Sequence, residues 1–323
     1  MVKAIFNLIR LPNLIIVALT QVAMRYLIME PLLPHSNFSL QFGTFQFVLL
    51  VLSTVFIAAA GYIINDYFDT QTDRINKPDK VYVGVSIKRR TVMLLHWIFN
   101  LLGVGIGIYL SLYISLLSMS LIFFLASGLL WFYSVNYKRQ LLIGNLTVSF
   151  LTAMVPMIVV LFEIPMLNRE YGAIMLQYNG NFNYIFIWVA GFSIFAFLST
   201  LIREIIKDTE DFEGDAAYGM KTLPIVAGTR LTKAILVTLI MTIIAALVFV
   251  LLKFIMFSGI RPDFYSMAYF LVFLVIPFII LLTMVILATG KEDYHRASIM
   301  IKFIMLFGVL YSVLVFFLVK FWV

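Results

Sequence analysis

Nine stretches of largely apolar residues punctuate this chain, each close to the length of about 20 residues that a helix needs to cross a bilayer. They run near Leu11–Ile28, Phe45–Ile64, Val92–Tyr113, Leu116–Tyr133, Gly144–Leu161, Tyr184–Leu201, Leu231–Leu252, Tyr265–Leu287 and Ile299–Leu318. Composition supports lipid as the solvent. Of the 323 residues, 63% are hydrophobic and 12% charged, against about a quarter charged in a soluble domain. A water-soluble globule of this size could not hide that much apolar surface, and disorder is excluded as well. The chain has no cysteine, so a disulfide framework, a thiolate metal site and a cysteine nucleophile are excluded. Lys3 and Arg10 precede the first stretch, but no small-residue cleavage site follows it. It reads as a retained span, not a removed signal peptide. The expected fold class is an all-α, multi-pass membrane bundle of nine transmembrane helices, with residues 1–323 forming one domain.

Basic residues orient the spans. Eighteen of the 23 Lys and Arg fall in one alternating set of connections, which the positive-inside rule assigns to the cytoplasm. The amino terminus is then cytoplasmic and, after nine crossings, the carboxy terminus lies outside. The net charge of +7 is explained by this bias and carries no nucleic-acid signal. Arg25 is left near the far end of the first span, from which its stem could snorkel outward. Two cytoplasmic connections, Asn65–Arg90 and Ile202–Arg230, are long and rich in both acid and base. The external connections at Glu30–Thr44 and Glu163–Asn183 are polar but poor in charge.

Each charged connection opens with an acidic cluster. The first reads Asn65-Asp66-Tyr67-Phe68-Asp69-Thr70-Gln71-Thr72-Asp73-Arg74-Ile75-Asn76-Lys77-Pro78. On a helix, positions 65, 69, 73 and 76 share a narrow sector, with Asp66 at its edge. The second reads Arg203-Glu204-Ile205-Ile206-Lys207-Asp208-Thr209-Glu210-Asp211-Phe212-Glu213-Gly214-Asp215. There Glu204, Asp208, Asp211 and Asp215 share one face if the helix continues, although Gly214 could end it before Asp215. One such cluster is most simply a solvated charged loop. Two with related spacing, at matching positions four spans apart, are harder to dismiss. Like charges this close repel, and burial raises the cost. Either some carboxylates stay protonated or a hard divalent cation neutralises them. Mg²⁺ uses one or two carboxylates together with substrate phosphates, so two facing clusters would cage a diphosphate. Arg74, Lys77, Lys138, Arg203 and Lys207 could reach its oxygens.

These segments resemble the motifs of the UbiA superfamily of intramembrane prenyltransferases. Asn65, Asp66, Asp69 and Asp73 match its NDxxDxxxD motif, and Asp208, Asp211 and Asp215 its DxxxD-type motif. Arg10-Leu-Pro-Asn13, Tyr133-Ser134, Lys138, Gly144 and Asn145 are also similar to family segments. The segment from Arg203 to Asp215, with Lys221-Thr-Leu-Pro224, is most like the branch whose acceptor is a geranylgeranylglyceryl phosphate. One departure stands out: Asp79-Lys80-Val81-Tyr82-Val83 follows Pro78 where the family often has an Arg-Pro-type segment. The resemblance implies a helical bundle around a central cavity, with two cytoplasmic cap loops at about 65–90 and 202–230. It also implies Mg²⁺-dependent transfer of a prenyl group, geranylgeranyl for this branch, from its diphosphate to a lipid-like acceptor, in membrane ether-lipid synthesis.

On that reading Asp66, Asp69, Asp73, Asp208, Asp211 and Asp215 hold metal, with Asp66, Asp69, Asp208 and Asp211 as the catalytic set. Asn65, Asn76, Lys77, Lys138, Arg203, Lys207, Arg10, Asn13 and Tyr133 are substrate-binding candidates. Tyr62, Tyr67, Phe68 and Tyr133 lie nearest the motifs and are the aromatic residues best placed to stabilise an allylic cation. An aromatic acceptor, as in quinone synthesis, is the alternative within the enzyme class. A cation channel or transporter is the alternative outside it. That rival predicts acids near span centres, whereas these gather at one end.

Other features receive simpler readings. His35, His96 and His295 are scattered and read as interfacial histidines. Gly103-x-Gly105-x-Gly107 reads as a site of close helix packing. Pro156 and Pro277 suggest kinks inside spans, and Glu163 and Arg169 lie externally, away from the chemistry.

Overall fold

A computed structural model describes residues 2–33, 38–76, 81–256 and 263–322. Among them the chain is almost entirely helical, and nine helices are long and apolar enough to cross a membrane. A short helix α1 (Val2–Leu8) precedes α2 (Leu11–Met29), α3 (Thr44–Asn76), α4 (Arg89–Tyr113) and α5 (Ser120–Val135). Then come α6 (Ile143–Gln177), α7 (Asn183–Glu210), the short α8 (Phe212–Ala217), α9 (Leu223–Val250), α10 (Phe264–Leu287) and α11 (Lys291–Trp322). The chain is an integral membrane protein. Every expected span is present, but several run further than hydropathy suggests. Helix α3 continues twelve residues beyond Ile64, so the first acidic cluster is helix and not loop. Helix α6 runs on to Gln177 and converts most of the expected external loop into helix.

Two compact units are distinguished by their internal contacts: Met1–Lys138 with Met154–Ser193, and Arg139–Ala153 with Ile194–Val323. In the first unit, a buried cluster of Leu8, Ile9, Leu14, Ala59, Ile63, Val83, Ile87 and Val92 ties α1 and the start of α2 to α3 and α4. Residues 82–87 form a tight loop in which the Tyr82 carbonyl accepts from Ser86 and Ile87 at 2.9 and 3.1 Å. Gly84 takes the left-handed φ of 78° there, which a side chain rarely tolerates. The Asn7 amide donates to the Tyr82 hydroxyl at 3.0 Å and holds α1 against this loop.

The glycine motif in α4 packs as its spacing suggests. A Cβ on Gly103 would meet Ile57 at 2.6 Å, and one on Gly107 would strike the Phe123 ring at 2.3 Å; Gly105 faces open space. Ser53 reaches across this close contact and donates to the Gly103 carbonyl at 2.6 Å. Pro277 follows a π turn at Phe270–Val275. Its missing N–H and the widened turn together irregularise α10. Helix α9 breaks at Gly228, whose φ of 77° and ψ of 160° are not helical.

Arg25 does not snorkel. Its side chain lies in a π turn of α2 (Met24–Met29) and is 4% exposed, with Nη1 2.8 Å from the wholly buried Glu163. Glu163 also accepts from the backbone N–H groups of Gln41 and Phe42, at 2.5 and 2.9 Å. Arg25 donates in turn to the Phe42 carbonyl. Apolar surroundings leave a guanidinium with a carboxylate partner better satisfied inward than outward. His96 departs from the interfacial reading as well. It is 2% exposed, lies 2.9 Å from the Ala60 carbonyl through Nδ1, and joins Asn100 and Ser127 in a buried polar chain.

Candidate active site

The first acidic cluster occupies the last three turns of α3. Helix geometry puts Asn65, Asp66, Asp69 and Asp73 on the same side, and each described carboxylate there is at least partly buried. Asp66 accepts from Arg10 Nη2 at 2.7 Å. Arg10 sits between α1 and α2 in a left-handed conformation, φ 52° and ψ 54°. A non-glycine residue held there carries backbone strain of about 1–3 kcal/mol, a feature that clusters at functional sites. The guanidinium also lies 4.9 Å above the Tyr62 ring, and the Tyr62 hydroxyl accepts from Asn13 at 3.5 Å. Burial disfavours the Arg10 charge. The Asp66 carboxylate, with Tyr62 and Tyr133 adding their share, outweighs that and holds its pKa above the ordinary arginine value.

Three positions along, Asp69 is ion-paired with Lys138, whose side chain is 8% exposed. Lys138 follows α5 in a single 3-10 turn, Tyr137–Arg139. The side-chain oxygen of Asn65 is buried and has no hydrogen-bond partner among the described residues. An unsatisfied amide oxygen beside two carboxylates invites a hard cation. Asn76 closes α3, but its side chain and Lys77 lie outside the described residues.

Aromatic residues flank this end of α3. Arg89 stacks 4.6 Å over the Tyr67 ring, a contact with no signal in the motifs. Tyr67 meets Phe68 edge-on at 5.3 Å, and Phe68 meets Trp131 at 6.1 Å.

The second cluster belongs to the other unit. Helix α7 ends at Glu210, and Asp211 (φ −90°, ψ 11°) turns the chain into α8. The break therefore comes before Gly214, not at it, and Asp215 lies inside α8. Hydrogen bonding nevertheless carries across the junction. Asp211 N–H donates to the Lys207 carbonyl at 2.9 Å, and Asp215 N–H to the Asp211 carbonyl at 3.1 Å. Asp211, Asp215 and Glu204 are buried. Asp208 accepts from the Asn145 amide at 2.7 Å. Asn145 stands in the first turn of α6, so the small Gly144-Asn145 segment meets the acidic motif in space. Arg203 pairs with its neighbour Glu204, and Lys207 is half-buried. His295, on α11, lies 2.8 Å from Glu210 and stays half-exposed. Among the described residues, no three acidic or histidine side chains converge on one metal-sized point.

A model of the UbiA prenyltransferase family matches residues 34–307. The chain belongs to that family. Curated relatives of this UbiA chain include the digeranylgeranylglyceryl phosphate synthase of Methanothermobacter thermautotrophicus, 36% identical over 193 residues, or 59% of each chain. The synthases of Methanosphaera stadtmanae and Methanopyrus kandleri are 30% and 31% identical, over 80% and 81% of this chain and 84% of theirs. Its fold is that of a solved digeranylgeranylglyceryl phosphate synthase, with a TM-score of 0.63 and 24% identity over 97% of both chains. A UbiA homologue from Aeropyrum pernix K1 scores 0.59 at 15% identity, covering 96% of this chain and 98% of that one. One from Archaeoglobus fulgidus, solved with GPP and Mg²⁺, scores 0.54 at 18%, covering 94% and 98%. Both motifs, Asn65–Asp73 and Asp208–Asp215, fall within the UbiA match.

Proposed function

We propose that this protein transfers a geranylgeranyl group from its diphosphate to the free hydroxyl of a geranylgeranylglyceryl phosphate, building the second ether bond of a membrane lipid. One observation carries the choice of acceptor: relatives named for that product align at 30% and 31% identity over 84% of their own lengths. The same names favour a lipid acceptor over an aromatic one. The distribution of basic residues supports an active site on the cytoplasmic face, with the amino terminus on that side and the carboxy terminus opposite.

Each donor set suits Mg²⁺. Both are all hard oxygen: Asp66, Asp69 and Asp73 with the orphaned oxygen of Asn65 on α3 in one unit, and Asp208, Asp211 and Asp215 around the α7–α8 junction in the other. When bound, Mg²⁺ neutralises charge developing on the departing diphosphate. The chain's cations do the rest of that work. Arg10 and Lys138 pair with motif carboxylates in one unit, and in the other Lys207 lies near Asp208 and Arg203 beside Glu204; a phosphate oxygen entering either set would meet them. Asn13, bonded to the Tyr62 hydroxyl below Arg10, and Tyr133, near enough to bear on the Arg10 charge, are the candidates for holding the acceptor. As the allylic C–O bond breaks, its electron pair leaves with the diphosphate. The acceptor oxygen forms the new ether bond and gives up its proton to a motif carboxylate or to a phosphate oxygen. Tyr62, Tyr67 and Phe68 offer ring faces to the transient allylic cation and help exclude the water that would capture it.

The test uses purified protein, radiolabelled geranylgeranyl diphosphate and Mg²⁺ with a panel of glycerol-phosphate ethers and aromatic acids. Labelled product is expected with geranylgeranylglyceryl phosphate alone. Asp69→Ala and Asp211→Ala should each abolish turnover without loss of membrane expression. Activity retained in both variants would refute the metal assignment, and product from an aromatic acid alone would move the protein to another branch.

A further inference from the structure

Two carboxylates of the first motif are already occupied. Arg10 holds Asp66 from the α1–α2 junction, and Lys138 holds Asp69 from the turn after α5. Both cations come from elements remote in the chain from α3, and neither is a helical neighbour of its partner. The side chains of Asp66 and Asp69 are 15% and 16% exposed, so each needs a counter-charge in its folded setting. Two monovalent pairs supply it, and one divalent ion on the same two carboxylates would supply the same charge. The two carboxylates are thus balanced by cations of the chain. Arg10 is held in a strained backbone conformation while it makes its pair.

We propose that Arg10 and Lys138 are exchangeable counter-ions: divalent metal displaces them from Asp66 and Asp69, and the freed cations close on the diphosphate that arrives with it. The exchange rests on the assignment of Asp66 and Asp69 as metal ligands. It gives a reason for metal and diphosphate to bind together. Metal alone must break two ion pairs. Diphosphate alone finds its cations engaged. With both present, every charge has a partner, so each ligand strengthens the other.

The experiment measures Mn²⁺ binding to the purified full-length protein by the loss of the free-ion electron paramagnetic resonance signal, with and without inorganic diphosphate. In wild type, diphosphate should tighten Mn²⁺ binding. Lys138→Gln should bind Mn²⁺ alone about tenfold more tightly, because a competitor for Asp69 is gone, while its diphosphate affinity in saturating Mn²⁺ falls about tenfold. These opposite shifts distinguish exchange from a structural role, under which both affinities weaken together. Arg10→Asn, chosen because asparagine tolerates the left-handed backbone, should behave likewise. Lys138→Arg should restore the wild-type pattern. Unchanged or weaker Mn²⁺ binding in Lys138→Gln, with Asp69→Asn still lowering Mn²⁺ affinity in the wild-type background, would overturn the exchange and leave the metal assignment standing. Mn²⁺ binding indifferent to both Asp66→Asn and Asp69→Asn would overturn the two together.

Discussion

Replacing Glu163 by alanine should be among the most damaging single changes outside the two motifs. The carboxylate is wholly buried and the Arg25 side chain nearly so. One carboxylate oxygen accepts from Arg25 at 2.8 Å, and the other takes the N–H groups of Gln41 and Phe42. Breaking a buried pair by removing one partner costs about 3–5 kcal/mol, because the remaining charge is stranded. Each backbone N–H left unsatisfied adds about 1–3 kcal/mol. The terms do not simply add. Gln41 and Phe42 lie on an irregular segment, and Gln41 is only half-buried. Arg25 retains the Phe42 carbonyl and its position 4.8 Å over the Phe47 ring. A loss of about 4 kcal/mol is the working expectation, and over the 323 residues of this chain it should lower Tm in detergent by about 6 °C. Glu163→Gln keeps an acceptor for the two N–H groups and should lose about 3 kcal/mol. The diagnostic variant is Arg25→Met with Glu163→Ala, which strands no charge and should be more stable than Glu163→Ala alone. Equilibrium unfolding in mixed micelles reads five proteins, wild type and the Arg25→Met parent included. A Glu163→Ala loss under about 1 kcal/mol, or a double mutant no better than the sum of its parents, would refute the buried-pair reasoning.

Two further predictions concern packing and the second motif. Gly107→Ala drives a methyl into the Phe123 ring, which is 1% exposed, and should cost about 1–3 kcal/mol. Gly105→Ala, facing open space, should be neutral or slightly stabilising through helix propensity; thermal unfolding of the pair checks both. Asn145→Leu removes the amide that orients Asp208. With Asp208 a metal ligand, as proposed, the change should lower turnover by about 10–100-fold, the usual effect of losing a group that positions such a ligand. Steady-state kinetics over a range of Mg²⁺ concentrations would show whether excess metal recovers any of that loss, and full activity at low Mg²⁺ would sink the assignment.

The spans were legible because lipid demands long unbroken apolar runs, and no other solvent does. Their ends were less so. Hydropathy stops α3 at Ile64 because polar residues begin at Asn65, yet the i→i+4 ladder continues to Asn76. A helix leaving the bilayer has no reason to unwind while its residues are helix-compatible. Helix α6 shows the same beyond Leu161, where Glu163, Pro165 and Arg169 read as a loop. Glu163 is instead buried against Arg25, and Arg169 donates to the Ile114 carbonyl at 2.8 Å. In each case a charge looked like a boundary because its partner, on another helix, is invisible along the chain.

The same blindness limits a sequence reading of the candidate site, and it is selective. Acids of the first motif share a helix, so their grouping follows from periodicity alone. Their counter-charges do not share it: Arg10 and Asp66 are separated by 56 positions, and Lys138 and Asp69 by 69. Asn145 reaches Asp208 across 63. Arg10 and Asn145 stand out in the sequence only within short segments similar to those of the family, Lys138 also as a cation near a span end, and nothing in their spacing says which acid each would meet. His96 had no such segment and read as interfacial, although the Ala60 carbonyl it contacts lies only one turn before Asn65 on α3. A local pattern reveals ligands that one helix can present. In the first motif the groups that neutralise those acids come from other elements, whereas in the second Arg203 and Lys207 share the helix of Glu204 and Asp208 and only the orienting amide of Asn145 is remote. A motif of this kind is therefore half of an electrostatic arrangement, and its other half is found by asking which remote cations and amides the fold delivers to it.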